Sequence, residues 1–395
     1  MLLPQRFKHA DGSGIAEIEA PRLRADGDTD TAVIVRGEKI LRQTSGLLAE
    51  EQIGPVGVIG LVVAAGRLGG KQAQAGWMIL CKEIVQILIH PNVYQVPVVE
   101  PRALDRLVGN VKTFAMIPQF FDIDLEDRKV VVKEGDALNI GSHTLKFIMA
   151  PMVHWPEVMV TYEESEKVLF SADGFGKFGA LSTDEDWTCE ARRYYFNIVG
   201  KYGFQVQALL KKAAELDIQM ICPLHGPILK ENLGYYINKY DIWSSYKPED
   251  EGIFVAYASI HGNTAVAAKQ FAEMLREKGA VKVTVSDLSR SDMAENVEDA
   301  FRYNKLVLAS ASYDGGVFPV MQDFLLHLKA KNYQNRTIAI IENGSWAPSA
   351  ARTMKGILET MKNLTVLDNI VTIKSTVKPE TLTALETLAD DIIKA

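Results

Sequence analysis

The strongest constraint on this 395-residue chain lies at its C-terminal end, where strand-like and helix-like patterns alternate five times. Apolar, β-branched runs at 253–258, 281–288, 305–309, 337–342 and 370–374 predict five strands. Between and after them, 264–278, 293–302, 320–328, 349–361 and 379–393 space their apolar residues as helices do. Strands separated by helices pair in parallel, so the pattern predicts an open, doubly wound five-stranded sheet with helices on both faces. A ligand of such a sheet sits beyond the C-terminal strand ends.

Three segments leave that edge. The first, Ser259-Ile260-His261-Gly262-Asn263-Thr264, runs from an apolar strand directly into a helix. Hydroxyl and amide side chains, a glycine for close backbone approach and the positive end of a helix suit a phosphate. It has no Walker lysine and no G-x-G-x-x-G, so a flavin monophosphate fits better than a nucleoside triphosphate or a dinucleotide. The others, Ser310-Ala311-Ser312-Tyr313-Asp314-Gly315 and Asn343-Gly344-Ser345-Trp346, combine small residues with one aromatic each, suited to flanking a flat isoalloxazine ring. These sixteen residues are the candidate FMN site.

Upstream, between 107 and 246, short β-rich runs (129–133, 144–150, 158–162, 167–170, 220–223) are followed or interleaved by two helical stretches, 189–202 and 205–216. Three ligand-type residues stand in Gly- or Pro-flanked turns after β-runs: His154, Asp173 and His225. Two imidazoles and a carboxylate can hold iron, manganese or zinc, and an aspartate can bridge two ions. A polar, Pro-containing stretch at 247–252 is a plausible linker to the C-terminal sheet.

Taken together, H-x(18)-D at His154 and Asp173, the stretch Glu190–Val199, the Pro-Leu-His-Gly turn at His225 and the flavodoxin-like tail resemble the flavodiiron proteins, also called A-type flavoproteins. The resemblance covers about residues 107–395. It implies a metallo-β-lactamase-like αββα domain with a non-heme diiron centre, followed by a flavodoxin-like FMN domain. By this match His154 and His225 would each ligate one iron and Asp173 would bridge them. Electrons from a small donor protein, such as a rubredoxin or its reductase, would pass through FMN to the irons, reducing O2 to water or NO to N2O. The resemblance also implies a homodimer or homotetramer, and Tyr194 or Tyr195 facing the centre.

The first 106 residues depart from this pattern. They contain 3 of the 33 aromatics, Phe7, Trp77 and Tyr94, and eight Arg to four Lys, against eight to twenty-three in the remainder. Without aromatics a core lacks much of its buried area. The family's H-x-E-x-D-H cluster is absent from this stretch; His90, Glu100 and Asp105 are ten and five residues apart, too far for one short turn. Residues 1–106 are thus either a flexible or atypical segment in place of the first half of the metallo-β-lactamase-like domain or the product of a shifted reading frame, which would give the right length with the wrong content and would impair the metal site. Two alternatives therefore stand beside the oxidoreductase: an FMN electron carrier with a vestigial metal site, and a one-metal hydrolase.

Composition excludes other classes. A net charge of −7 without a basic run argues against nucleic acid, and three cysteines without C-x-x-C argue against disulfide, zinc-finger or iron–sulfur frameworks. No apolar run reaches the ~20 residues of a membrane span, and no signal-peptide core is present, so a cytoplasmic location without membrane contact is expected.

Overall fold

The computed structural model describes residues 106–395 apart from 123 and 184; everything expected of residues 1–105 lies outside the described residues. Two larger sheets organise the rest.

The C-terminal sheet is built from β8 (Asp250–Ala258), β9 (Val283–Asp287), β10 (Tyr303–Tyr313), β12 (Gln334–Asn343) and β13 (Lys362–Ile373). Their spatial order is β13-β12-β10-β8-β9, all parallel, which is the flavodoxin order with its switch point between β8 and β10. Two helices, α5 (Asn263–Glu277) and α9 (Pro379–Lys394), cover one face with residues such as Phe271, Leu275, Leu385 and Ile392. The other face packs against α6 (Met293–Arg302), α7 (Pro319–Ala330) and α8 (Ala350–Leu358) through Phe301, Phe324 and Met354.

All five expected strands and helices are present, but β10 runs on through Tyr313. There it folds back as a short hairpin onto β11 (Gly316–Val317). Asp314 and Gly315, at φ 46° and 69°, form its two-residue turn, the geometry that matches strand twist.

The upstream sheet has the order β3-β4-β5-β6-β7: β3 (Ala137–Asn139), β4 (Thr144–Met149), β5 (Met159–Glu163) and β6 (Val168–Phe170) are antiparallel neighbours, and β7 (Met220–Cys222) joins β6 in parallel. A separate parallel pair, β1 (Leu107–Gly109) and β2 (Lys129–Val131), flanks α1 (Val111–Met116). Helix α2 (Trp187–Tyr194), N-capped by Asp186, passes into a π turn at Tyr195–Val199, then a 3-10 turn, then α3 (Gly203–Ala213).

The stretch 247–252 is not an extended connector. Helix α4 (Leu233–Ser244), which the sequence patterns did not reveal, ends just before it, and β8 begins inside it at Asp250. Glu249 is buried. It receives Arg192 Nε at 2.7 Å, Lys239 Nζ at 2.7 Å and Trp243 Nε1 at 2.7 Å. Arg192 also pairs with Glu298 of α6, and Phe196 stacks on Phe301 at 4.2 Å. The polar Glu249 thus serves a buried ion network joining the two halves, while Lys247, Pro248 and Glu251 beside it are exposed.

Candidate functional site

Three loops at one end of the upstream sheet carry His154, Asp173 and His225, and the fold brings the three side chains together. His154 sits between β4 and β5 in a turn held by Met152 N–H to Trp155 O (2.7 Å) and Val153 N–H to Ala150 O (3.1 Å). From α1, the Asn110 amide donates to Glu157 O at 2.6 Å while its oxygen caps the helix by accepting from Lys112 and Thr113. Asp173 follows β6 and His225 follows β7, so the parallel β6–β7 pair delivers both to the same edge. Backbone bonds stitch these two loops together: Leu224 N–H to Ala172 O (2.8 Å) and Lys177 N–H to His225 O (3.2 Å). A Cβ on Gly176 would meet Asp173 O and His225 O at 3.1 Å each, so glycine permits the close approach.

All three loops hold left-handed backbone: Met152 (φ 66°), Ala172 (φ 51°), Phe175 (φ 66°) and Gly226 (φ 103°). For the non-glycine residues this conformation costs about 1–3 kcal/mol each and clusters where geometry is functional.

The two imidazoles face opposite oxygens of one carboxylate. His154 Nε2 is 3.5 Å from Asp173 Oδ2, and His225 Nε2 is 3.6 Å from Asp173 Oδ1. Two ligands ~2.1 Å from a shared ion at a tetrahedral angle stand about 3.4 Å apart, so each gap has the width of a coordination angle rather than of a hydrogen bond. Burial lowers His154 to about 4, with His225 adding to the effect, so its imidazole is neutral at pH 7 and offers a lone pair. Burial also pushes Asp173 up to about 7; Tyr194 opposes this and the carboxylate of Glu157 reinforces it.

Both oxygens of Asp173 and both of Glu157 are fully buried without a hydrogen bond of ordinary geometry. Burying carboxylates in this way is costly unless a cation accompanies them. The nitrogen and oxygen donors fit a divalent first-row metal. Among the described residues, no three His, Cys, Asp or Glu side chains close around a single point. The arrangement is that of a carboxylate between two imidazoles.

Tyr194, at the end of α2, faces this centre: its ring lies 5.7 Å from that of His225 and its hydroxyl beside Asp173. Tyr195 points the other way, into a core of Tyr240, Trp243 and Phe196. The π turn that begins at Tyr195 separates these directions, and such turns favour functional sites. Glu157 was missed from sequence; its signal was a carboxylate in the same Pro-flanked turn as His154. His90, Glu100 and Asp105 lie outside the described residues.

At the other sheet, the FMN candidates meet at the strand ends around the switch point. Gly262 (φ 88°) forms the N-cap of α5 without any side-chain cap, and a Cβ there would meet no atom within 4 Å. The first N–H groups of a fifteen-residue helix thus end in an open turn, an anion cradle that fits a phosphate. Ser259 Oγ braces the turn by accepting from Gly262 N–H at 3.1 Å, and Thr264 is buried beneath it. Ile260, Tyr313 and Trp346 are exposed by 41%, 45% and 92%, open to a flat group at this edge.

Ser310 is buried at the strand end, and Ser312 is already committed, accepting from Ser349 and Ala350 N–H to cap α8. Asn343 exchanges hydrogen bonds with Ser375, and Ser345 bonds the Ser375 hydroxyl. The loop after β13 therefore supports the site, a role sequence did not reveal.

Comparison with known proteins bears on the fold that carries these sites. Residues 106–226 match a family model described as the ODP family beta lactamase. A flavo di-iron protein variant from Thermotoga maritima superposes with a TM-score of 0.65 and 25% identity over 73% of this chain and 72% of that one. Residues 107–395 resemble the flavodiiron proteins in sequence and fold.

Rubredoxin oxygen:oxidoreductase from Desulfovibrio gigas shares the flavodiiron fold, with a TM-score of 0.66 and 24% identity over 73% of each chain. An uncharacterised protein of Methanocaldococcus jannaschii is 30% identical over 64% of this chain and 65% of its own length. The anaerobic nitric oxide reductase flavorubredoxin of Aeromonas hydrophila is 30% identical over 55% of this chain and 46% of its own. The chain thus spans about half to two thirds of these curated relatives. Among the described residues no helix is long and apolar enough to cross a membrane.

Proposed function

We propose that this chain is an FMN- and iron-linked oxidoreductase that passes electrons from a small donor protein, of the rubredoxin or rubredoxin-reductase kind, to O2 or NO. The observation that carries this reading is Asp173, buried between the imidazoles of His154 and His225 at 3.5 and 3.6 Å, in a chain that also presents an open, uncapped helix end beside exposed aromatics. When bound, FMN and iron would supply the electron-transfer chemistry.

The chain's own groups would orient and protect. Neutral His154, together with the imidazole of His225, would present Nε2 to metal, and Asp173 would supply the bridging carboxylate. Tyr194 would hold its hydroxyl beside that carboxylate. Its own ionisation is pushed well above the usual tyrosine range by burial, so it remains a hydrogen-bond donor at neutral pH. At the flavin site Ser259, Gly262, Asn263 and Thr264 would hold the phosphate. Tyr313 and Trp346 would flank the ring, with Ser310, Ala311, Ser312, Asp314, Gly315, Asn343, Gly344 and Ser345 forming the rim. We place the divisions at 107–246 and 253–395, with a cytoplasmic homodimer or homotetramer as the working assembly.

Three protein ligands under-coordinate two irons, so metal should be held loosely. That shortage favours a second reading, an FMN electron carrier with a vestigial metal site. Oxygen and NO consumption by protein carrying FMN and ferrous iron, with a reduced donor, tests the first. FMN reduction without gas consumption would support the second.

A further inference from the structure

Behind the candidate metal centre lies a small cavity of about 20 Å³. One wall is made by the loops that carry the proposed ligands: Val153 immediately precedes His154, and Gly174 and Phe175 immediately follow Asp173. The opposite wall is α3, through Val206 and Ala213. We propose that this cavity binds an apolar diatomic gas next to the centre, serving as the last station before it.

Size and polarity select that occupant. About 10–15 Å³ is the least that admits one water-sized molecule, so one small molecule fits. A trapped water needs two to four polar partners. Here the lining is almost wholly apolar: Ser171 Oγ is engaged with Gly174 O at 2.7 Å, and Tyr240 lays its ring on Phe175 at 4.4 Å. Apolar cavities of this kind stay dry and take up gases such as xenon. The identity of the gas as O2 or NO rests on the function proposed above; binding of an apolar atom does not.

Crystals of the full chain pressurised with xenon test the site directly. One xenon peak bounded by Phe175, Val206 and Ala213 is expected, lost in Ala213→Leu, which fills the space, and retained in Leu210→Ala, which enlarges it. An ordered water in that position, or no xenon there while other cavities fill, would overturn the proposal. In FMN- and iron-loaded protein, Ala213→Leu should raise KM for the consumed gas about fivefold with kcat within about twofold. An unchanged KM with xenon displaced would overturn the delivery role. A wild-type protein that takes up xenon here but consumes neither gas contradicts the proposed reaction and supports the cavity.

Discussion

Asp173 is completely buried, faces two imidazoles across gaps too wide for hydrogen bonds, and is pushed up to about 7 by that burial. Without a cation it costs stability, and Asn at this position removes the charge while keeping the shape. Asp173→Asn is therefore expected to stabilise the metal-free protein by about 1–3 kcal/mol while abolishing iron uptake. Thermal unfolding in chelator and metal analysis check the two effects on the same preparation. Gly176→Val should act differently, prising the Asp173 and His225 loops apart, with less iron and lower stability together. The meeting of Asp173 with both histidines was legible in the sequence because all three stand in Gly- or Pro-flanked turns after β-runs. Glu157 was not, since its one local signal, sharing the Pro-flanked turn of His154, does not tell a buried glutamate from a surface one.

The Arg192–Glu249–Glu298 network and the uncapped start of α5 decide the behaviour of whole elements. Burial raises Glu249, but Arg192, Lys239 and Trp243 outweigh it, so its carboxyl ionises below the ordinary 4.5. A depressed folded-state value contributes stability above pH ~4.5 that is lost as pH falls through the folded value. Glu249→Gln should thus weaken the protein at pH 7 and flatten the acid limb of its stability curve, followed by denaturant unfolding from pH 3 to 7. Arg192→Ala takes the shared cation from the buried side chains of Glu249 and Glu298 and should cost about 3–5 kcal/mol.

At α5, Gly262→Val forces a β-branched residue into φ 88° and crowds the cradle. A flavin fluorescence titration should show FMN affinity reduced by at least about tenfold. The five strands and helices were legible because a doubly wound sheet repeats one pattern. The buried role of Glu249 was not, because a polar run that folds into an ion network has the composition of a linker.

For the whole molecule, the family match begins at residue 106, where the aromatic and Arg/Lys balance changes. The upstream sheet brings three candidate ligands, His154, Asp173 and His225, to one edge, and the H-x-E-x-D-H cluster that would complete them is absent from the sequence. Reading the coding DNA of residues 1–106 in its other frames is expected to recover that cluster; its absence from all three frames would discard the shifted-frame explanation. The three ligands present should still take up iron, but weakly and reversibly.

The central claim, that residues 107–395 carry both an FMN site and a metal site centred on Asp173, is tested most directly by one measurement. Purified protein is loaded anaerobically with FMN and ferrous iron, desalted, and analysed for both beside Asp173→Asn. One FMN per chain in both proteins is predicted, with chelator-labile iron in the wild type that the variant lacks. Failure to retain FMN, or equal iron in the two proteins, would contradict the account.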